Sequence, residues 1–273
     1  MRINKFNIHC IVEARTSSKR LPNKVLKNLK GKEKVIDYVI KNLLKSKINK
    51  RKVIIVIPKN KNNDELKKYL KKKYNLKIFR GSEKNVYKRV SDCCKKYKVQ
   101  NFIRITADNV LLDPILINKA IQFYIQNNSD YLSTRTMDHT NKWNVTSDYN
   151  EGSSIEIINV KNLFNISKLV RKKDREYPTW HIFSNPKNFN LKKLSLINDY
   201  KKIASTIRIK KIRTTLDTKE DYFFLRQIIK KLDLKPGENN FLKILKNFKK
   251  IEKFLLINKK IKKKIAYKVI KEN

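Results

Sequence analysis

Three stretches of this chain hold residue types that handle phosphate. The first reads VEARTSSKRLPNKVLKNLKGK over residues 12–32, where Arg15, Arg20 and Lys24 follow an apolar run and Ser17 and Ser18 lie among them. An arginine fork grips phosphate with paired hydrogen bonds, and hydroxyls and backbone N–H groups complete such a loop. The second, RITADNVLLDP, sets Asp108 just beyond another apolar run, and the third, RTTLDTKEDY, does the same with Asp217. Mg2+ takes one or two carboxylates together with phosphate oxygens, so an acid at such a place is a candidate metal ligand. Asp113 precedes Pro114 and is the better helix cap, which leaves Asp108 without a structural duty. Asp221 lies one helical turn past Asp217 and reads as a cap or a surface acid. Two carboxylates facing a basic loop would compose a Mg2+–triphosphate site.

The elements that must position these residues follow a simple order. Residues 7–14 read as a buried strand, 34–47 as a helix, 52–58 as a β-branched strand covered on both faces, 64–74 as an amphipathic helix and 76–81 as a short strand. Helix 85–97, strand 101–109 and helix 113–128 continue the pattern. Strand and helix alternate, which predicts a parallel, doubly wound α/β sheet. Ligands bind such sheets outside the carboxyl ends of the strands. The loop 14–24, the segment 80–82 and the turn 107–109 should therefore meet along one edge.

The second half is less regular. Residues 130–136 and 153–159 read as strands around a polar loop, 137–152. Segments 160–170 and 174–185 read as helical, 189–196 and 211–218 as strands, and 219–231 as a helix. The lysine-rich text after Pro236 is helical in pattern. The expected division is one main domain over residues 1–235 with a helical extension over 236–273.

The formal charge is +43, from 67 Lys and Arg against 24 Asp and Glu. Such a chain invites a nucleic-acid reading. The excess is mostly lysine, spread throughout, and the chain has only four glycines, so a solvated lysine surface explains it better than a specific nucleic-acid face. No apolar run is long enough for a membrane span, and no secretory leader is expected at the N-terminus. Three cysteines, Cys10, Cys93 and Cys94, form neither a C-x-x-C pair nor an even disulfide set, and a cytoplasmic location is expected. Walker-type G-x-x-x-x-G-K and dinucleotide-type G-x-G-x-x-G loops are absent, as are G-x-S-x-G and Cys–His signatures. The chemistry implied is therefore positioning and charge stabilisation, without a covalent nucleophile.

The segments ARTSSKRLPNKVL, FRGSEKNVYKR, RITADNVLLDP, DREYPT and TTLDTKEDY occur in this order. So arranged, the chain resembles the cytidylyltransferases of the spore coat polysaccharide biosynthesis protein F family, relatives of the CMP-KDO and CMP-sialic acid synthetases. The resemblance spans residues 7–260, and its most specific part is A-R-x-x-S-x-R-L-P-x-K. It implies a Rossmann-like nucleotide-diphospho-sugar transferase fold, of GT-A-like form, with a mostly parallel sheet covered by helices on both faces. It implies Mg2+-dependent transfer of CMP from CTP to a sugar or sugar acid. Carried over by position, Ala14, Arg15, Ser18, Arg20 and Lys24 would hold the triphosphate. Arg80, Gly81 and Ser82 would lie near the base. Asp108 and Asp217 would hold Mg2+, and with Arg15 and Lys24 they form the expected catalytic set.

The chain departs from the family's usual text in places. Glu13 stands for Gln, and Ser17, Asn23 and Ala107 stand for Gly. Ser154 replaces an acid while Glu156 remains, and Tyr177 replaces a histidine, with His181 nearby reading as structural. A carboxylate at Glu13 would repel a triphosphate unless a lysine or a metal neutralised it. A homodimer is allowed by the resemblance, with 137–189 as an interface. The competing readings are a glycosyltransferase on the same fold, a non-catalytic nucleotide-binding relative and a nucleic-acid binder. The first of these usually uses an Asp-x-Asp on its metal, where this chain has Ala-Asp-Asn.

Overall fold

The computed structural model of the protein describes residues 8–137 and 145–259. The N-terminal residues 1–7, part of the expected polar loop (138–144) and the expected helical text beyond 259 lie outside the described residues. The strands are β1 (Ile8–Glu13), β2 (Asn28–Lys30), β3 (Glu33–Lys34), β4 (Val53–Pro58), β5 (Lys77–Gly81), β6 (Asn101–Thr106), β7 (Tyr131–Ser133), β8 (Arg135–Met137), β9 (Val145–Ser147), β10 (Glu156–Asn159) and β11 (Leu191–Lys193). The long helices are α1 (Val35–Lys45), α2 (Asp64–Tyr74), α3 (Val86–Lys96) and α4 (Pro114–Gln126). Shorter ones follow: α5 (Val160–Asn165), α6 (Trp180–Phe183), α7 (Asn198–Lys201) and α8 (Thr206–Lys210). Helices α9 (Lys219–Lys231), α10 (Asn240–Lys246) and α11 (Phe248–Ile251) complete the set.

Seven strands form the central sheet in the order β11-β7-β10-β6-β1-β4-β5. Neighbours pair in parallel except at β10, which runs antiparallel to both β6 and β7. The mostly parallel α/β sheet is therefore present. Its strand order reverses beside β1, because β4 and β5 extend one way and β6 lies on the other side. That switch point is where a ligand cleft opens in a doubly wound sheet.

Both faces of the sheet are covered, as the unbroken apolar strands require. Side chains alternate along each strand. Cys10, Val12, Val53, Ile55, Ile57, Ile103 and Ile105 enter one core with α1, α2, α4 and α9. Ile11, Ile54, Val56 and Phe102 enter the other with α3, α5 and α6. Helices α10 and α11 send Phe241, Ile244, Phe248 and Ile251 into the first core.

Several local expectations are corrected. Residues 211–218 make isolated bridges, Glu151 with Arg213 and Asn109 with Thr215, rather than a strand. The cause lies in the side chains. The N–H groups of Asp217 and Thr218 both donate to Asp221 Oδ2, at 3.0 and 3.1 Å, so the chain turns into the cap of α9. The expected strand 130–136 breaks at Thr134, whose hydroxyl accepts from Ile155 N at 3.1 Å, and β8 leaves to pair with β9. Pro178 interrupts the expected helix 174–185, of which only α6 forms an α-helix. A β2–β3 ribbon lies between the loop after β1 and α1, where no strand was expected.

Candidate active site

A cleft of about 670 Å³ opens at the carboxyl ends of β1 and β6. The loop after β1 forms one wall. Thr16 folds it: its N–H donates to Asn63 Oδ1 at 3.1 Å and its hydroxyl to Asn62 O at 2.9 Å, while its own carbonyl accepts from Asn23 N at 3.0 Å. Asn23 takes the left-handed conformation, φ 53°, and feeds a short 3-10 turn, Lys24–Leu26. Asparagine is among the few non-glycine residues that tolerate this conformation readily. Ala14, Arg15, Ser18, Arg20 and Lys24 all line the cleft.

At the floor, two acids from opposite sides meet one cation. Lys24 Nζ lies 3.0 Å from Asp108 Oδ2 and 3.1 Å from Asp217 Oδ1, and it donates to Leu216 O at 2.7 Å. Arg20 Nη2 also reaches Asp217 Oδ1 at 3.1 Å, and Arg213 Nη2 reaches Asp217 Oδ2 at 3.2 Å. Burial opposes the charge on Lys24, but Asp108 and Asp217 outweigh it and hold its pKa above the ordinary lysine value. Burial likewise pushes Asp108 upward, and Lys24 with Thr106 more than reverses this, so the acid stays ionised. Asp221 is not a surface acid. It is fully buried, caps α9 through a capping box with Thr218 and receives Arg213 Nε at 2.8 Å.

A second ionic group lies beside the first. Arg104 on β6 holds Glu13 with two bonds, Nε to Oε1 at 2.7 Å and Nη2 to Oε2 at 2.9 Å. Its Nη1 reaches Glu156 Oε2 on β10 at 3.1 Å, Arg135 Nη2 reaches Glu156 Oε1 at 2.6 Å, and Thr179 Oγ1 donates to Glu156 Oε2 at 3.0 Å. Burial would raise the Glu156 pKa, but Arg104 and Arg135 bring it down to about 2. Glu13 is thus neutralised by an arginine, where the sequence suggested only a lysine or a metal.

The structure does not bring Arg80, Gly81 and Ser82 to the cleft surface. Arg80 is turned away, bonded to Asn60 O at 3.0 Å and to Lys59 O and paired with Asp64. Ser82 Oγ accepts from Asn85 N at 3.2 Å. Gly81 instead makes room for Arg89: a Cβ there would stand 2.7 Å from Arg89 Cγ. Arg89 lines the cleft, is 2% exposed and donates from Nη1 to Ser82 O, while its Nε has no hydrogen-bond partner. Burial lowers its pKa, Glu13 pulls the other way, and Arg15 and Arg104 lower it further. The sequence signal was available, since Arg89 falls on the apolar face of α3 between Val86 and Val90. Arg104 was marked in the same way, as a charge inside a buried strand.

Tyr177 and Ser154 line the cleft as well. Gly152 takes φ 114°, and a Cβ there would come 2.7 Å from the Thr214 carbonyl carbon, so the chain passes too closely for any side chain. His181 lies outside the lining, with Nε2 2.8 Å from Asp174 Oδ2.

A basic loop, a paired-acid floor and a switch-point cleft define a nucleotide-handling enzyme of the Rossmann-like class. The cytidylyltransferase family profile matches residues 9–267, and the chain belongs to that family. It is a nucleotidyltransferase. An uncharacterised protein of Methanocaldococcus jannaschii is 32% identical over 225 residues, covering 82% of this chain and 84% of that protein. The spore coat polysaccharide biosynthesis protein SpsF of Bacillus subtilis is 28% identical over 230 residues, covering 83% and 88% respectively. The structure of a cytidylyltransferase from Leptospira borgpetersenii superposes with a TM-score of 0.75 at 22% identity, covering 90% of this chain and 96% of that one. No helix among the described residues is long and apolar enough to cross a membrane.

Proposed function

We propose that the protein transfers CMP from CTP to a sugar or sugar-acid acceptor, with Mg2+, in the assembly of a surface glycan. The observation that carries this reading is the convergence of Asp108 and Asp217 on one cation, Lys24 Nζ, at 3.0 and 3.1 Å. Lys24 acts as a stand-in ion: the position already holds positive charge between two carboxylates. Among the described residues no group of three or more His, Cys, Asp or Glu could hold a metal. Two carboxylates suit Mg2+ when phosphate oxygens supply further ligands, so the residues fit a metal that arrives with a nucleotide. Bound there, Mg2+ would offset charge on the triphosphate.

The chain's own groups account for the rest. Arg15, Arg20 and the hydroxyl of Ser18 face the same cleft and suit the leaving pyrophosphate. Arg89 offers a preorganised cation that needs no rearrangement. An acceptor oxygen attacks the α-phosphorus, the new O–P bond forms, and the bond to the β-phosphate oxygen breaks in line. Pyrophosphate leaves, and the acceptor's proton passes to solvent. Glu13, Glu156, Arg104 and Arg135 cancel one another's charge at the adjoining wall. The role named for the Bacillus subtilis relative supports a glycan acceptor. Three free, buried cysteines suit a reducing compartment and support the cytoplasm as the location.

Thermal melting with Mg2+ and each of CTP, UTP, ATP and GTP tests the reading, because a ligand that binds only the folded state raises the melting temperature. A rise with CTP that needs Mg2+, followed by pyrophosphate release in the presence of acceptor, is the expected result. Equal small rises with all four nucleotides, abolished by salt, would mean that only the lysine surface is being titrated.

A further inference from the structure

Lys24 occupies the point that a divalent cation would need. Its Nζ touches Asp108 Oδ2, Asp217 Oδ1 and Leu216 O, and the residue is only 9% exposed. A cation ligated by both carboxylates would sit about 2 Å from each. An ammonium already bonded to the same two oxygens cannot stay there at the same time. The backbone of Lys24 is fixed, since it opens the 3-10 turn whose Val25 and Leu26 are buried and follows the left-handed Asn23. The four-carbon stem is the part that can move.

Charge decides when it moves. Lys24 and Arg20 already bond the floor carboxylates, while Arg213, which also reaches Asp217, is shared with Asp221 and Glu151. A dication arriving alone would leave the displaced ammonium buried without a partner. A dication arriving on a polyanionic triphosphate would not, and the phosphates would give the displaced ammonium a new partner.

We propose that Lys24 is a resident surrogate for the metal: it fills the Asp108–Asp217 position in the free protein, excludes a lone divalent cation, and yields only to a cation that comes with a nucleotide. The inference rests on the nucleotidyl-transfer reading above and adds an order of binding to it. By linkage, the exclusion is reciprocal: whatever weakens the hold of Lys24 strengthens metal uptake without nucleotide.

The test is a titration with Mn2+ alone, as a probe for Mg2+, read by the electron paramagnetic resonance signal of the free ion. The wild type, Lys24→Met, Lys24→Gln and the double variant Lys24→Met/Asp217→Asn are compared. The single variants should take up Mn2+ roughly tenfold more tightly than the wild type, and the double variant should lose the gain. Equal uptake by the wild type and both single variants, or a gain that survives Asp217→Asn, overturns the proposal. The wild type supplies a second measurement that needs no variant to fold. Mg2+ alone should leave its melting temperature unchanged, and Mg2+ alone raising it as far as Mg2+ with CTP overturns the proposal. Failure of the functional reading looks different, since CTP with Mg2+ would then give no rise at all.

Discussion

Two ionic clusters share one cleft and are built on opposite principles. In the Glu13–Arg104–Glu156–Arg135 group every carboxylate is matched. Arg104 takes both oxygens of Glu13, and Glu156 receives Arg104, Arg135 and Thr179. The group runs across β1, β6 and β10 and on to β8, with Arg104 and Glu156 opposite each other in the ladder. It fastens strands. In the Lys24–Asp108–Asp217 group the acids come from loops, and one ammonium bonds both carboxylates and a carbonyl, with Arg20 and Arg213 also reaching Asp217. Asp108 and Asp217 keep side-chain exposures of 25% and 19%, against 4% for Glu156. The difference separates a cluster that must not change its partners from one whose partners can be exchanged.

The largest effect should follow from removing an exchangeable acid. Asp108→Asn should lower turnover with CTP by about 10²–10³-fold or more, because the charge-stabilising floor loses half of its acid pair. Its melting temperature should stay close to that of the wild type, since Asp108 fastens no strand. Pyrophosphate release measures the first and calorimetry the second. Unimpaired turnover would break the distinction between the clusters. Arg104→Ala should do the reverse at the level of the fold. It leaves Glu13 and Glu156 short of a buried partner, and loss of one member of such a pair costs about 3–5 kcal/mol. Urea unfolding checks this, and a loss under about 1 kcal/mol would show that the matched cluster is not structural.

The matched cluster also has a pH signature. Glu156 titrates near its ordinary value of 4.5 when unfolded, but only at about 2 when folded. Between those values the unfolded chain binds more protons, so stability falls as the pH drops through the window. Above it the contribution is complete. The stability advantage of the wild type over Glu156→Gln should therefore be constant at neutral pH and shrink on acidification below about pH 5. An advantage that stays flat down to about pH 2.5 would assign the cost of that substitution to shape rather than charge.

How much of this was legible in the sequence depends on the kind of residue. The α/β order, the covered β4 and the Asp113 cap were readable because each rests on local pattern: β-branched runs, alternation and an Asp-Pro pair. The meeting of loop 14–24 with Asp108 was readable too, because the carboxyl-end rule converts strand order into proximity. The reversed β10 was not, since a four-residue strand carries no mark of its direction. Residues 211–218 were misread because Thr and Ile favour strands, while the decisive contacts, Arg213 with Asp217 and Asp221, depend on the cap of a following helix. The partners of Glu13 were hidden for the same reason. Arg104 lies 91 residues further along, and nothing local pairs the two.

The smallest effect tests the boundary between the two clusters, where Arg89 stands. Glycine at 81 was read as close to the base, yet its place in the structure is behind an arginine. Ala at 81 would put a methyl group 2.7 Å from Arg89 Cγ and 3.0 Å from the Phe79 ring. Arg89 Cγ belongs to a flexible stem, so the arginine would shift and the strand would stay. Nη1 would lose its hold on Ser82 O, and a buried cation aimed at the cleft would be misplaced by a few tenths of an ångström or more. Gly81→Ala should therefore raise the KM for CTP by about threefold to tenfold, an energy of about 1 kcal/mol, while kcat changes little. Arg89→Lys should give a similar result by a different route, because it removes the planar guanidinium whose Nη1 donates to the carbonyls of Ser82 and Glu83. If Gly81→Ala lowered kcat and left KM alone, Arg89 would act on the reacting phosphate beside Lys24 and Arg20 rather than hold the nucleotide.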